Sequence, residues 1–250
     1  MLKEIIKAIR AYQKAHGFIR KHNLWRWIIV PGIIYMILFL GGFYLFALTG
    51  KKLLGRELLN VLGITGWLAK MDSGLLHFIF SFTGLVFWLL SLLFYLSWFK
   101  YLWLIVGSPV FAWLSEKTES LVTGKEFEFS ISQWLKDIKR GGGLAARNLL
   151  WQSVYFLALF FISLIPLVGW AVPFFALLIE AYYLGFSMLD YSLERRGIGV
   201  SGSIRYIGAH KGLAIGNGLV FYAMHIIPLV GWVMAPAYAV VAATLTVDKQ

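Results

Sequence analysis

The sequence predicts an all-α integral membrane protein. It is read as two long transmembrane helices, two re-entrant (hemi-penetrating) helical hairpins and interfacial amphipathic helices, in a single domain over residues 1–250. Three observations predict it. Of the 250 residues, 60% are hydrophobic and the mean hydropathy is +0.75, too apolar for a soluble domain of this length. The apolar residues gather into long runs flanked by cation-bearing segments. The hexapeptide Ile-Pro-Leu-Val-Gly-Trp occurs twice, at Ile165–Trp170 and Ile227–Trp232, each time in the middle of an apolar run and each time followed by a second proline.

Residues 1–26 form an interfacial segment. Leu2, Ile5, Ile6, Ile9 and Tyr12 recur at helical spacing over residues 2–16, while Lys3, Lys7, Arg10 and Lys14 stay off that stripe. Such a helix lies in the membrane surface. Residues 27–48 are the first span, 22 residues without a charge, opened by the interfacial Trp25, Arg26 and Trp27, with Pro31 in its first turns. Residues 75–106 are the second, a 32-residue apolar run interrupted only by Lys100, with Trp98, Tyr101 and Trp103 around it read as an interfacial belt. That is longer than a bilayer needs, so it tilts or projects. Residues 107–148 make cytoplasmic helices: one opened by Ser108-Pro109, and one running from Ser130 through Trp134 and Ile138 to a stop at Gly141-Gly142-Gly143. Ser201 is read as the cap of a further surface helix.

Residues 149–189 and 213–247 are the hairpins, with turns at Pro166 and Gly169 and at Pro228 and Gly231. A second proline follows each turn, Pro173 and Pro236. Proline removes a backbone donor and ends or kinks a helix, and glycine three residues on permits the reversal. The ingoing arm Leu149–Ile165 holds 17 residues, about 25 Å, against the roughly 30 Å of a hydrocarbon core. Arms this short predict hairpins that enter and leave by one face, with their tips covered by other parts of the protein; the alternative is tilted full spans of a thin membrane.

Charge assigns the sides. Residues 1–26 carry seven Lys/Arg against one acid, whereas 49–74 carry four against two. The N-terminus is therefore read as cytoplasmic. The net charge of +11 is read as attraction to anionic headgroups, not to nucleic acid, because the cations flank the apolar runs. With no cysteine, disulfide and thiolate chemistry are excluded. The five histidines lack ligand spacing, and no nucleophile–base pair or phosphate loop is present. No catalytic residue, metal or cofactor is expected, and the protein is not read as an enzyme. Gly197-Ile198-Gly199-Val200-Ser201-Gly202 has no preceding strand and is a loop. Gly212 and Gly216, with Ala214 and Gly218 beside them, let two helices approach closely, within one chain or across a dimer.

The remaining chemistry is charge at a membrane boundary. Arg26 sits where the first span begins, where free backbone donors and the positive helix end hold an anion; the alternative is an ordinary snorkelling arginine. Glu116 and Glu119 are candidate partners for Arg26 or Lys117, or are simply solvated. Glu180, Asn217 and His225 are the hydrophilic candidates for a polar lining within the hairpins.

Six stretches carry a family resemblance along most of the chain. They are Asn23-Leu24-Trp25-Arg26 ahead of Pro31, Ser108-Pro109 through Glu119, the first proline turn, Leu189-Asp190-Tyr191, Gly212-Leu213-Ala214-Ile215-Gly216, and the second turn with Met234-Ala235-Pro236. In these the chain resembles the CysZ/etoposide-induced-protein family. The resemblance implies a dimeric sulfate permease of the bacterial inner membrane with two long helices and two hemi-penetrating hairpins. It also implies an anion site at Asn23, Leu24, Trp25 and Arg26, supported by Glu116 and Glu119. Leu24 and Arg26 match the family's Gly-Leu-Arg-Arg stretch, while Asn23 and Trp25 replace its glycine and first arginine. The partners so implied are an inorganic anion, membrane lipids and further copies of the chain. The second reading, a non-transporting membrane-organising or scaffold protein, rests on the missing arginine and the wide basic, amphipathic surface.

Overall fold

In the computed structural model the described residues are 1–53, 74, 89, 92, 93, 95–124, 131–163, 165 and 167–247. Regular structure among them is helical: α1 (Leu2–Lys21), α2 (Trp25–Leu53), α3 (residues 95–106), α4 (Ser108–Thr123), α5 (Ile131–Ser163), α6 (Val172–Arg195), α7 (Val200–Ala209), α8 (Lys211–His225) and α9 (Val230–Thr246). A 3-10 turn, Val168–Ala171, joins α5 to α6. Among the described residues three helices are long and apolar enough to cross a membrane: Trp25–Leu48, Lys139–Ser163 and Val168–Arg195. Most of the second span read from sequence, and the Ser130 cap and Pro166, lie outside the described residues.

The core is organised around α9, which packs on α1, α2, α4, α6 and α8. Its residues 235–244 are buried without a break, most of them alanine or valine. A helix covered on every side needs no polar face, and small side chains let five neighbours come close. Pro236 lies inside this helix instead of ending it. At Gly32 of α2 an added Cβ would meet Val233 Cγ1 at 2.7 Å, so α2 and α9 cross there almost backbone to backbone.

The small residues of α8 serve two partners within the one chain. Gly216 abuts α1, where an added Cβ would lie 2.8 Å from the Ile5 carbonyl oxygen and 2.9 Å from Ala8 Cβ. Gly218 faces Ala181, and Gly185 faces Ala214, so α6 and α8 interlock through Ala181/Gly185 against Ala214/Gly218. The stripe of α1 that packs inward is accordingly Ala8, Ala11, Tyr12, Ala15 and Ile19. Leu2, Ile6 and Ile9 stay exposed. The helix thus has a small-residue seam against the protein and an isoleucine face turned outward. Tyr12 anchors the seam by donating to the Asn217 carbonyl oxygen at 2.7 Å, and burial raises its phenol well above the usual value, which keeps it a donor.

Three sequence readings change. The helix expected to stop at Gly141-Gly142-Gly143 runs on to Ser163 as one 33-residue α5. Each glycine costs a helix up to about 1 kcal/mol, which burial of Leu144, Ala145, Asn148 and Gln152 and the Arg140 contacts described below offset. The arms around the first turn therefore reach 25 and 28 residues, longer than the 17 counted from sequence. The arms of the second turn remain short, 15 and 17 residues. Gly199, not Ser201, precedes α7.

The turns also differ in their chemistry. The positive-φ residues are Leu167 (φ 69°, ψ −50°) and Leu229 (φ 61°, ψ −65°), close to the strained γ-turn conformation; at the second turn Val230 N–H donates to the Pro228 carbonyl oxygen at 2.7 Å. Gly169 and Gly231 are needed for space instead. A Cβ there would collide with the carbonyl oxygens of Ser163 and Met224. Nor do the described residues cover the tips: Ile165, Leu167, Val168, Ile226, Ile227, Leu229 and Val230 are all exposed.

Candidate functional site

Two polar layers cross the helix packing, both hung on α6. The inner one is centred on Lys100 of α3 and Glu180 of α6, which are 5% and 0% exposed. Lys100 Nζ donates to Glu180 Oε2 at 2.6 Å and to Gln152 Oε1 at 2.8 Å, and lies 4.6 Å from the Tyr101 ring centroid. Tyr101 donates to the same Gln152 oxygen at 2.8 Å, and Gln152 Nε2 donates to Ser97 at 2.6 Å. Tyr222 of α8 donates to Glu180 Oε2 at 2.9 Å. Four helices thus contribute to one network. A buried ion is tolerable only when paired and hydrogen-bonded in this way.

One valence is left over. Glu180 Oε1 is buried and has no hydrogen-bond partner among the described residues. Beside the network a cavity of about 20 Å³ is lined by Tyr35, Lys100, Tyr222, His225 and Pro236, with apolar side chains. It has room for a single water and none for a tetrahedral oxyanion. His225, one of the hydrophilic candidates for a polar lining, shares a 2.9 Å hydrogen bond with the Tyr35 hydroxyl, and its carbonyl accepts from Trp232 Nε1 at 2.9 Å. Asn217 donates to the Ala239 carbonyl oxygen at 3.0 Å and ties α8 to α9.

The outer layer lies ten residues further along α6, about 15 Å on the helix axis. Arg140 of α5 bridges Asp190 at 2.8 Å and Glu194 at 3.5 Å. It also donates to Ser203 and to the Ile198 carbonyl oxygen. Arg195 pairs with Glu116 at 3.3 Å and Arg196 with Glu119 at 3.2 Å, binding α4 to the end of α6, where cations also suit the helix dipole.

These pairs answer one sequence reading. Glu116 and Glu119 engage Arg195 and Arg196, and Arg26 is exposed and makes no ion pair among the described residues. The acids sit on α4 facing α6, whereas Arg26 opens α2. The turn before it is well fixed. Asn23 takes φ 51°, a conformation asparagine tolerates, and Leu24 is buried. Trp25 meets His16 edge-on at 6.2 Å, and Trp27 lies 4.1 Å from Trp113 of α4. Because α2 opens at Trp25, the Trp25 and Arg26 amides have no intrahelical acceptors, whereas the Trp27 amide donates to the Leu24 carbonyl oxygen at 3.1 Å. The structure therefore brings Asn23, Leu24, Trp25 and Arg26 together at one exposed helix start and engages Glu116 and Glu119 with Arg195 and Arg196.

Of the polar lining, sequence reasoning had only Glu180, Asn217 and His225. Lys100 was visible as the lone charge in an apolar run, which matches a buried partner for Glu180. Gln152, Ser97 and Tyr222 gave no signal, since neutral polar and aromatic residues are common in such runs, and Tyr101 and Trp103, expected with Trp98 in an interfacial belt around Lys100, are instead buried.

A family model described as Sulfate transporter CysZ/Etoposide-induced protein 2.4 matches residues 11–236. The Sulfate transporter CysZ of Pseudomonas syringae pv. tomato is 27% identical over 143 residues, covering 56% of this chain and 56% of that protein. That of Pseudomonas aeruginosa PAO1 is 30% identical over 143 residues, covering 56% and 58%. That of Vibrio parahaemolyticus is 26% identical over 219 residues, covering 84% and 82%. The match thus spans little more than half the length of the Pseudomonas proteins and most of the Vibrio one.

Proposed function

The chain belongs to the Sulfate transporter CysZ/Etoposide-induced protein 2.4 family, and from that membership we propose that it is an anion permease that takes sulfate across a bacterial cytoplasmic membrane. The observation that carries this reading is the Lys100–Glu180 network. Ionisable groups in the apolar interior of a membrane protein are expensive and mark ion pathways, and a purely organising protein has no use for them. Glu180 lies about 15 Å along α6 from the Asp190 layer, half the thickness of a hydrocarbon core, so the pair belongs near the bilayer midplane.

In this reading the Arg26 guanidinium and the amides of Trp25 and Arg26 receive the anion at the membrane surface, while the Asn23 and Leu24 amides, which donate to the Arg20 and Ile19 carbonyl oxygens, fix the turn. With Trp25 in place of a second guanidinium, capture relies on one charge and on backbone donors. Glu116 and Glu119 act indirectly, holding Arg195 and Arg196 and through them α4 and α6. The N-terminus is cytoplasmic, α2 is a full span, and the two proline turns are tips of re-entrant hairpins, the first with tilted arms. The exposed apolar tips and the closed 20 Å³ cavity call for further copies of the chain, a homodimer or larger, to complete a path.

The closed cavity is also what favours the second reading, a membrane-organising protein of the same fold. Radioactive sulfate uptake into proteoliposomes separates the two. The permease reading expects saturable uptake, reduced at least tenfold by Arg26→Ala in a protein that remains folded. Uptake no greater than in empty liposomes would overturn it, and uptake indifferent to Arg26→Ala would remove the turn as the receiving site.

A further inference from the structure

A third feature borders the outer polar layer. On the outer face of α5, Lys136, Lys139, Arg140, Gly143, Leu144 and Arg147, with Val200 of α7, line an open groove of about 400 Å³. Four of the seven lining residues are cations and none is an acid. Arg140 is committed to Asp190 and Glu194. Lys136 and Lys139 are exposed. Arg147 is fixed in direction by Asn148 Oδ1 at 3.1 Å and by the Phe186 ring, 5.9 Å from its guanidinium carbon.

The positions are a single helical stripe, recurring at three and four residues. The same stripe continues along α5 as Leu150, Trp151, Val154, Leu157 and Phe161, all exposed. The change from cation to hydrocarbon falls inside Lys139–Ser163, the part of α5 long and apolar enough to cross a membrane. A groove that binds only a small free anion has no need of an apolar track leading away from it. An amphiphile with an anionic head needs both parts, in this order and on one face.

We propose that this groove binds the phosphate headgroup of an anionic phospholipid, with an acyl chain lying along Leu150, Trp151, Val154, Leu157 and Phe161. Lys136, Lys139 and Arg147 surround the phosphodiester. Arg140, held by its carboxylates, sets the floor of the groove and locks α5 to α6 and α7. The lipid then acts as a clamp at the outer polar layer, independent of the transported anion.

The test is native mass spectrometry of the full-length detergent-purified protein, titrated with phosphatidylglycerol or phosphatidylcholine. The proposal expects phosphatidylglycerol to be retained over phosphatidylcholine. Its affinity should fall about fivefold for each charge removed in Lys136→Ala, Lys139→Ala and their double variant, with phosphatidylcholine retention unchanged. Arg147→Ala is the independent check from another part of the groove. Phosphatidylglycerol retention unchanged in the double variant and in Arg147→Ala would overturn the proposal. Displacement of phosphatidylglycerol by equimolar inorganic phosphate or sulfate would also overturn it, because the site would then read the anion alone. Sulfate flux is a separate measurement, so loss of the lipid site and loss of transport are told apart.

Discussion

At the scale of the residue, the most consequential side chain is Lys100, because its charge is tolerable only through its partners. Truncating one member of a buried ion pair strands the other, at a cost of about 3–5 kcal/mol. Replacing both by apolar residues of similar size is often close to neutral. Lys100→Met is therefore expected to lower thermal stability sharply, and Lys100→Met/Glu180→Met to recover most of the loss. Unfolding midpoints of the two variants in detergent check this, and a double variant no better than the single would mean that the pair contributes nothing specific. The contrast with Arg26 is instructive. Arg26 is exposed and unpaired among the described residues, so Arg26→Ala should leave the melting temperature within about 1 °C, a surface substitution costing a few tenths of a kcal/mol. What sequence could say about these two residues differed in kind. A lone lysine in an apolar run declares itself, but which helix supplies its acid depends on how α3, α5 and α6 pack.

At the scale of the element, α5 and the two turns show where local reasoning fails. Three consecutive glycines are a fair stop signal in an isolated segment, yet packing of Leu144, Ala145 and Asn148 overrides a few kcal/mol of propensity. The proline turns were legible as turns, because Pro166 and Pro228 sit in otherwise uniform apolar runs. Which residue bears the unfavourable backbone angle was not legible. Glycine was available three positions on, but it is consumed by close contact with the preceding helix, and leucine takes the left-handed angle instead. A non-glycine residue held there stores about 1–3 kcal/mol. Leu229→Gly is expected to raise stability by about 1 kcal/mol, whereas Gly231→Ala should lower it by more, since a Cβ has nowhere to go. Chemical denaturation of both variants reads the signs directly, and a destabilised Leu229→Gly would show that the exposed leucine's lipid contact outweighs its backbone strain.

At the scale of the whole molecule, the all-helical, membrane-embedded character was plain from composition alone, as were the N-terminal amphipathic helix, the span beginning near Trp25 and the small-residue contacts of α8. The pairing of helices was not, because uniformly apolar helices offer no polar face to orient them. The proposed sidedness has a direct test, made easier by the absence of cysteine. Lys14→Cys, Lys136→Cys and Arg205→Cys place thiols at three exposed positions on α1, α5 and α7. In vesicles of known orientation an impermeant maleimide is expected to modify all three from the cytoplasmic side and none from the other; labelling of any one from outside would reverse the proposed topology. The left-handed leucines also bear on the order of assembly. A bend whose own residues resist bending does not nucleate a hairpin, so Leu167 and Leu229 are forced into place only after the arms on either side have docked against α9 and its neighbours. The chain is then inserted as helices first and creased last, and a peptide spanning 211–246 alone in micelles would lack the sharp crease that the complete protein imposes on it.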